Sequence, residues 1–145
     1  MKAYADTGFL CSLYVPDVHS SRAVTRMRRQ ALPLAFTWLH QLEFRNALRL
    51  RVFRGEITAV QREVSLNMIL SDLGGNVLAT VTPPLTGVMA EAERLSALHS
   101  ETLGTRSLDI LHVASAAVLG LSEFLSFDTR QTRLAKAAGL NVPSL

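Results

Sequence analysis

The chain has 145 residues, enough for one domain with a proper buried core, and its 48% hydrophobic and 19% charged content excludes disorder as the main state. One cysteine, Cys11, excludes an internal disulfide, and no Cys or His cluster has the spacing of a zinc site. The net charge of +3 hides an uneven distribution: nine arginines lie between Arg22 and Arg62 against Glu43 and Glu56, which leaves the remainder net acidic by four charges.

The apolar stretch after Lys2 is cut by Asp6 and followed by no cleavage pattern, so no secretory signal is expected. The longest later apolar run, Leu108 to Leu121, contains Asp109 and His112 and is too short to span a bilayer. A soluble cytoplasmic protein follows as the expectation. The arginine block suits either a solvated helix face or a contact surface for nucleic acid or an acidic partner, because the guanidinium fork matches phosphate and carboxylate.

In chain order, Lys2 to Ala5 is predicted as a short strand leading into Asp6, after which Phe9, Leu10, Leu13 and Tyr14 recur at helical spacing up to Pro16. A basic helix is predicted over Ala23 to Gln30, stopped by Pro33, and a second strand over Leu34 to Thr37. Two long helices follow, Trp38 to Arg54 and Thr58 to Leu73, the second with a good N-cap and ended by Gly74 and Gly75. Asn76 to Val81 reads as a strand ended by Pro83 and Pro84, then helices over Thr86 to His99 and Ser107 to Leu119. Glu123 to Phe127 is a strand, Asp128 to Ala138 a helix closed by Gly139, and Leu140 to Val142 a terminal strand. Short apolar strands alternating with helices predict a single α/β domain, a three-layer sandwich with a central parallel sheet.

Four acids stand out on this scaffold. Asp6 and Asp128 each follow a strand and open a helix, where an Asp can be an N-cap or can face a ligand at the carboxyl ends of the strands. Asp128 with Gln131 resembles a capping box. Glu43 shares its helix side with Leu39, Ala47 and Leu50 and has no cation at positions 39 or 47. Its partner is either an arginine from elsewhere in the fold or a ligand. Asp109 sits in the first turn of a helix apolar nearly all round, where a ligand role explains it better than the helix dipole.

Asp6-Thr7, the run Gln41 to Leu48 (QLEFRNAL), Leu108 to Ala116 (LDILHVASA) and Ser126 to Val142 together resemble the PIN-domain ribonucleases, in particular VapC-type toxins. The match covers the whole chain, 1–145, in the expected order, although 55 to 100 matches only in helical character. The resemblance implies an α/β/α sandwich whose acidic pocket binds Mg²⁺ or Mn²⁺, with Asp6, Glu43, Asp109 and Asp128 at the positions of the family acids and Thr7 at that of the Ser or Thr shaping the pocket. It further implies a VapB-type antitoxin whose tail lies across the pocket, and a homodimer.

The implied chemistry is metal-assisted hydrolysis of RNA phosphodiester bonds by an endoribonuclease, with Asp6, Asp109 and Asp128 on the main metal and Glu43 on a second metal or orienting the attacking water. Phe44, Leu48, Phe53 and Met68 offer either core packing or a partner groove. His40 and His112, the latter about 60° from Asp109 around its helix, read as hydrogen-bonded core histidines. Asn46 could touch the pocket, and Arg106 either meets a phosphate or caps a loop. Two alternatives stand beside this reading: a non-catalytic module of the same fold binding RNA or protein, and a metal-dependent DNA nuclease. Asp6-Thr7-Gly8 also spells the aspartic-protease tripeptide, but such enzymes need a β-rich frame that this pattern lacks.

Overall fold

The computed structural model describes residues 1–145. Four short strands, β1 (Ala3–Ala5), β2 (Leu34–Phe36), β3 (Leu78–Thr80) and β4 (Glu123–Leu125), alternate with seven helices: α1 (Thr7–Tyr14), α2 (Ser20–Met27), α3 (Trp38–Phe53), α4 (Ala59–Gly74), α5 (Leu85–Leu103), α6 (Ser107–Val118) and α7 (Thr129–Ala137). β1 pairs in parallel with β4, and β2 in parallel with β3. β1 and β2 lie side by side, giving the spatial order β3, β2, β1, β4.

Strand periodicity explains the layers. Ala3, Ala5, Leu34, Phe36 and Leu125 point into one apolar cluster with residues of α1 to α4, whereas Tyr4, Ala35 and Phe124 point into a second cluster with residues of α5 to α7. Both faces of the parallel strands are thereby covered, as their mostly apolar, buried residues require. The expected three-layer α/β/α sandwich is the observed fold. No helix of the chain is long and apolar enough to cross a membrane.

Differences lie at element ends. The terminal strand expected over 140–142 reduces to one bridge, Asn141 to Glu123, and Pro143 just after it has no N–H to donate to a ladder. The basic helix starts at Ser20 rather than Ala23, and the fifth runs on to Leu103, where Gly104 adopts φ +65° as its C-cap. Phe44 and Leu48 are fully buried core residues, whereas Phe53 and Met68 are exposed.

Strand order reverses at β1: the chain leaves toward β2 and β3 on one side and returns to β4 on the other. Ligands of open parallel sheets bind outside the strand carboxyl ends at such a switch point. Asp6 directly follows β1 there, and its amide donates to Leu125 O of β4 at 3.0 Å.

Candidate active site

Asp6 ends β1 in an extended conformation and caps α1, its Oδ1 accepting from Phe9 N at 2.7 Å. Ser126 Oγ donates to its Oδ2 and accepts from Asp128 N at 3.0 Å, so one serine ties two of the acids. Asp128 caps α7, with Oδ1 accepting from Arg130 N at 2.8 Å and Gln131 N at 3.0 Å. Both residues are therefore caps, and both also face a cavity; the two sequence readings describe the same carboxylates.

That cavity, of about 330 Å³, is lined by Asp6, Asp109 and Asp128 together with Ser12, His19 and Arg106. Asp109 reaches it from the first turn of α6, at the rim rather than in the core: its side chain keeps 15% of its exposure. The expectation of a buried α6 fails most at this end, where Ser107 and Leu108 open to solvent, and Ala117 and Val118 at the other end are half-buried. Arg106 is the cationic neighbour, with Nε donating to Asp109 Oδ2 at 2.9 Å and Nη2 to Asp128 Oδ2 at 3.4 Å. It meets carboxylates, and with 65% of its side chain exposed these pairs are worth at most about 1 kcal/mol.

Asp6 forms no ion pair. Burial pushes its carboxyl up from 3.8 to about 6, against the opposing bonds from Ser126 and Phe9. A desolvated carboxylate next to two others is a site of unmet negative charge.

Glu43 and Thr7 stand behind this cavity rather than on its wall. Thr7 Oγ1 donates to Glu43 Oε1 at 3.1 Å, and His112 Nε2 bonds the same oxygen. The partner of Glu43 is thus a histidine from α6 and not an arginine. Tyr4 Oη lies 2.8 Å from His112 Nδ1 and 3.4 Å from Thr37 Oγ1. Burial raises the Tyr4 hydroxyl far above its ordinary value, so it stays neutral between His112 Nδ1 and Thr37 Oγ1.

His40 is the core histidine expected from its helix. Its Nδ1 accepts from Thr37 N at 2.9 Å and its Nε2 donates to Ala5 O at 2.7 Å; burial lowers its value to about 3 and keeps it neutral. Asn46 is exposed and does not line the cavity.

Sequence reasoning missed Ser126 and underrated His112. The signal for Ser126 was its position two residues before Asp128, the spacing at which a serine hydroxyl accepts from a backbone amide. Nothing local marks His112, because Tyr4, Thr7 and Glu43 come from three other elements.

The donor set is all oxygen and anionic, which suits a hard cation such as Mg²⁺ or Mn²⁺. No group of three or more His, Cys, Asp or Glu side chains is placed to hold a metal ion directly. Mg²⁺ does not need one, since it usually keeps several waters and is held by one or two carboxylates plus substrate phosphate. The oxygen donors lining the cavity suit such an ion held by one or two of the carboxylates directly and by the others through water.

No family profile matches the sequence, and no curated protein matches it. Solved structures do match in shape. VapC20 of Mycobacterium tuberculosis, described as a sarcin-ricin loop cleaving toxin, superposes with a TM-score of 0.71 at 16% identity, over 97% of this chain and 97% of its own. FitAcB from Neisseria gonorrhoeae gives 0.65 at 17% identity, over 97% and 95%. VapBC2 from Rickettsia felis, bound to a DNA fragment from their promoter, gives 0.65 at 13% identity, over 99% and 98%. Layers, strand order and the acidic switch-point cavity define a PIN-type α/β/α fold. The resemblance to VapC-type toxins read from the motifs and the likeness to VapC20 meet on this same fold, along almost the whole chain.

Proposed function

We propose that the chain is a Mg²⁺- or Mn²⁺-dependent endoribonuclease of the VapC toxin type, hydrolysing RNA phosphodiester bonds. The observation that carries this is the arrival of Asp6, Asp109 and Asp128, from positions spread along the whole sequence, at one cavity on the switch point of the sheet. RNA is preferred over DNA in keeping with the fold neighbour from M. tuberculosis, described as a sarcin-ricin loop cleaving toxin.

Asp6, Asp109 and Asp128 would hold a divalent cation, directly or through water, and that ion would supply charge for the phosphate oxygens and make a nearby water a better nucleophile. The protein groups do the rest. Asp128 Oδ1 is fixed by two backbone donors, which leaves Oδ2 turned toward Arg106. Asp6 is held at Oδ1 by Phe9 N and at Oδ2 by Ser126, which fixes its carboxylate at the cavity wall. Glu43 is held through Oε1 by Thr7 and His112, leaving Oε2 to order water behind the cavity. Arg106 neutralises Asp109 and Asp128 before substrate enters and is free to turn to a phosphate, since its exposed pairs are weak.

The proposal includes an antitoxin partner and a homodimer. A groove of about 420 Å³ between α1 and α4, lined by Leu13, Tyr14, Ile57, Val60, Val64 and Met68, is apolar enough to seat a partner helix. Phe53, 87% exposed on α3, adds unpartnered apolar surface. The test is cleavage of end-labelled RNA by the purified chain and by Asp109→Asn, with Mg²⁺ and with EDTA. Cleavage by the wild type in Mg²⁺ alone is expected, and an equally active Asp109→Asn protein rules the assignment out. RNA binding unaffected by EDTA, with no cleavage, would instead favour the non-catalytic module.

A further inference from the structure

The acidic cavity has one wall that its carboxylates do not explain. Three rings form a stack there: Phe9, fully buried, lies 5.5 Å from Phe127 with planes 16° apart, and His19 lies 4.4 Å from Phe127 with planes 9° apart. His19 ends the stack on the solvent side, where it and Phe127 both line the cavity beside Asp6 and Asp128. His19 precedes α2 but its side chain makes no capping bond, so helix capping does not account for it.

Arg22, one turn on, holds this ring in place. Its Nη2 donates to His19 Nδ1 at 2.7 Å, and its guanidinium carbon sits 5.0 Å from the Phe127 centroid. A guanidinium can only donate, so Nδ1 carries the lone pair and the proton of His19 is on Nε2. The result is a flat, oriented ring at the edge of an anionic cavity. Such a ring adds nothing to holding a cation. What it can add is a face.

Arg22 and Arg26 lie one turn apart on α2, and with Arg29 just beyond its end they line the adjoining concavity of about 260 Å³, to which Ser144 and Leu145 also contribute. Arg26 is engaged by Glu123 at 3.2 Å and by Gln30, whereas Arg29 makes no ion pair. A cation-lined track thus leads away from the carboxylates with the His19 ring at its mouth. An anionic strand entering a cavity of three acids needs attraction outside it, and single-stranded nucleic acid is held by basic grooves combined with aromatic platforms for its bases.

We propose that the outer face of His19 is a nucleobase-stacking subsite for the nucleotide next to the scissile phosphate, with Arg22 and Arg29 flanking the backbone of the same RNA strand. This rests on the nuclease reading and names how that site grips its substrate. It gives the early part of the arginine block a role that the carboxylates leave open.

The test uses a fluorescein-labelled single-stranded oligoribonucleotide of mixed sequence in EDTA, read by anisotropy, and a set of the same oligomers with 2-aminopurine walked through the sequence. His19→Ala should weaken binding about tenfold, within the range for losing one base–aromatic stack, and abolish the 2-aminopurine quenching at one position. His19→Phe, which keeps a ring over Phe127, should restore both, and this rescue separates stacking from a general loss of folding. The stacking subsite is overturned if His19→Ala binds and quenches like the wild type, or if His19→Phe is as defective as His19→Ala, while wild-type cleavage in Mg²⁺ leaves the nuclease reading standing. A wild type that neither binds nor cleaves RNA overturns both.

Discussion

Asp6→Asn should stabilise the protein while disabling its site, and the size of the effect follows from burial. Asp6 is 4% exposed, makes no ion pair, and has its carboxyl raised from 3.8 to about 6 by desolvation. For an acid whose value is raised on folding, the folded state binds more protons than the unfolded one between those two values. Stability is therefore greatest below about pH 4, falls as pH rises through about 6, and stays low above it. The full loss is roughly 3 kcal/mol. Asparagine carries no such penalty. Its carbonyl can still accept from Phe9 N, and Ser126 Oγ can accept from its amide while still accepting from Asp128 N. Urea melts in EDTA should show Asp6→Asn more stable than wild type by about 2–3 kcal/mol at pH 7.5, with the gain gone near pH 4. Added Mg²⁺ should raise the wild-type midpoint and leave that of the variant nearly unmoved. A variant less stable than wild type at pH 7.5, or a difference independent of pH, would refute the reasoning.

Two further substitutions probe the surroundings. Tyr4→Phe removes only the hydroxyl that holds His112 Nδ1, leaving a buried ring nitrogen unpaired, so chemical denaturation should show a loss of about 1–3 kcal/mol; a change below about half a kcal/mol would mean that the hydroxyl is dispensable. Arg106→Ala should change stability by less than about 1 kcal/mol because its pairs are exposed, yet tighten Mn²⁺ binding in calorimetry by removing the competing charge from Asp109 and Asp128. Weaker Mn²⁺ binding in that variant would reverse the role given to Arg106.

What could be read from the sequence divides along physical lines. The sandwich was legible because short apolar strands alternating with capped and stopped helices are local signals, whereas which face Ala3, Tyr4 and Ala5 each take emerges only from the packed clusters. Asp6 and Asp128 were legible as residues that end strands and open helices, and Asp109 as a charge on an apolar helix. Their meeting rests on strand order, which brings β4 beside β1 and no local pattern encodes. Glu43 shows the limit more sharply. Its lack of a cation within its own helix was visible, but its partner His112 lies on α6 and is oriented by Tyr4 of β1. The stack of Phe9, Phe127 and His19 was hidden for the same reason, since each ring alone reads as core or surface. The terminal strand was overread: Leu140 to Val142 has the composition of a strand but makes only one bridge.

The central claim is that Asp6, Asp109 and Asp128 together hold one divalent ion. Mn²⁺ titration at pH 7.5, followed by the loss of the free-ion electron paramagnetic resonance signal, measures it without reference to any substrate. Saturable binding by the wild type, weakened at least tenfold by Asp109→Asn and by Asp128→Asn and lost as pH falls below about 6, is the predicted result. Equal Mn²⁺ uptake by wild type and both variants, or none by any of them, would contradict it.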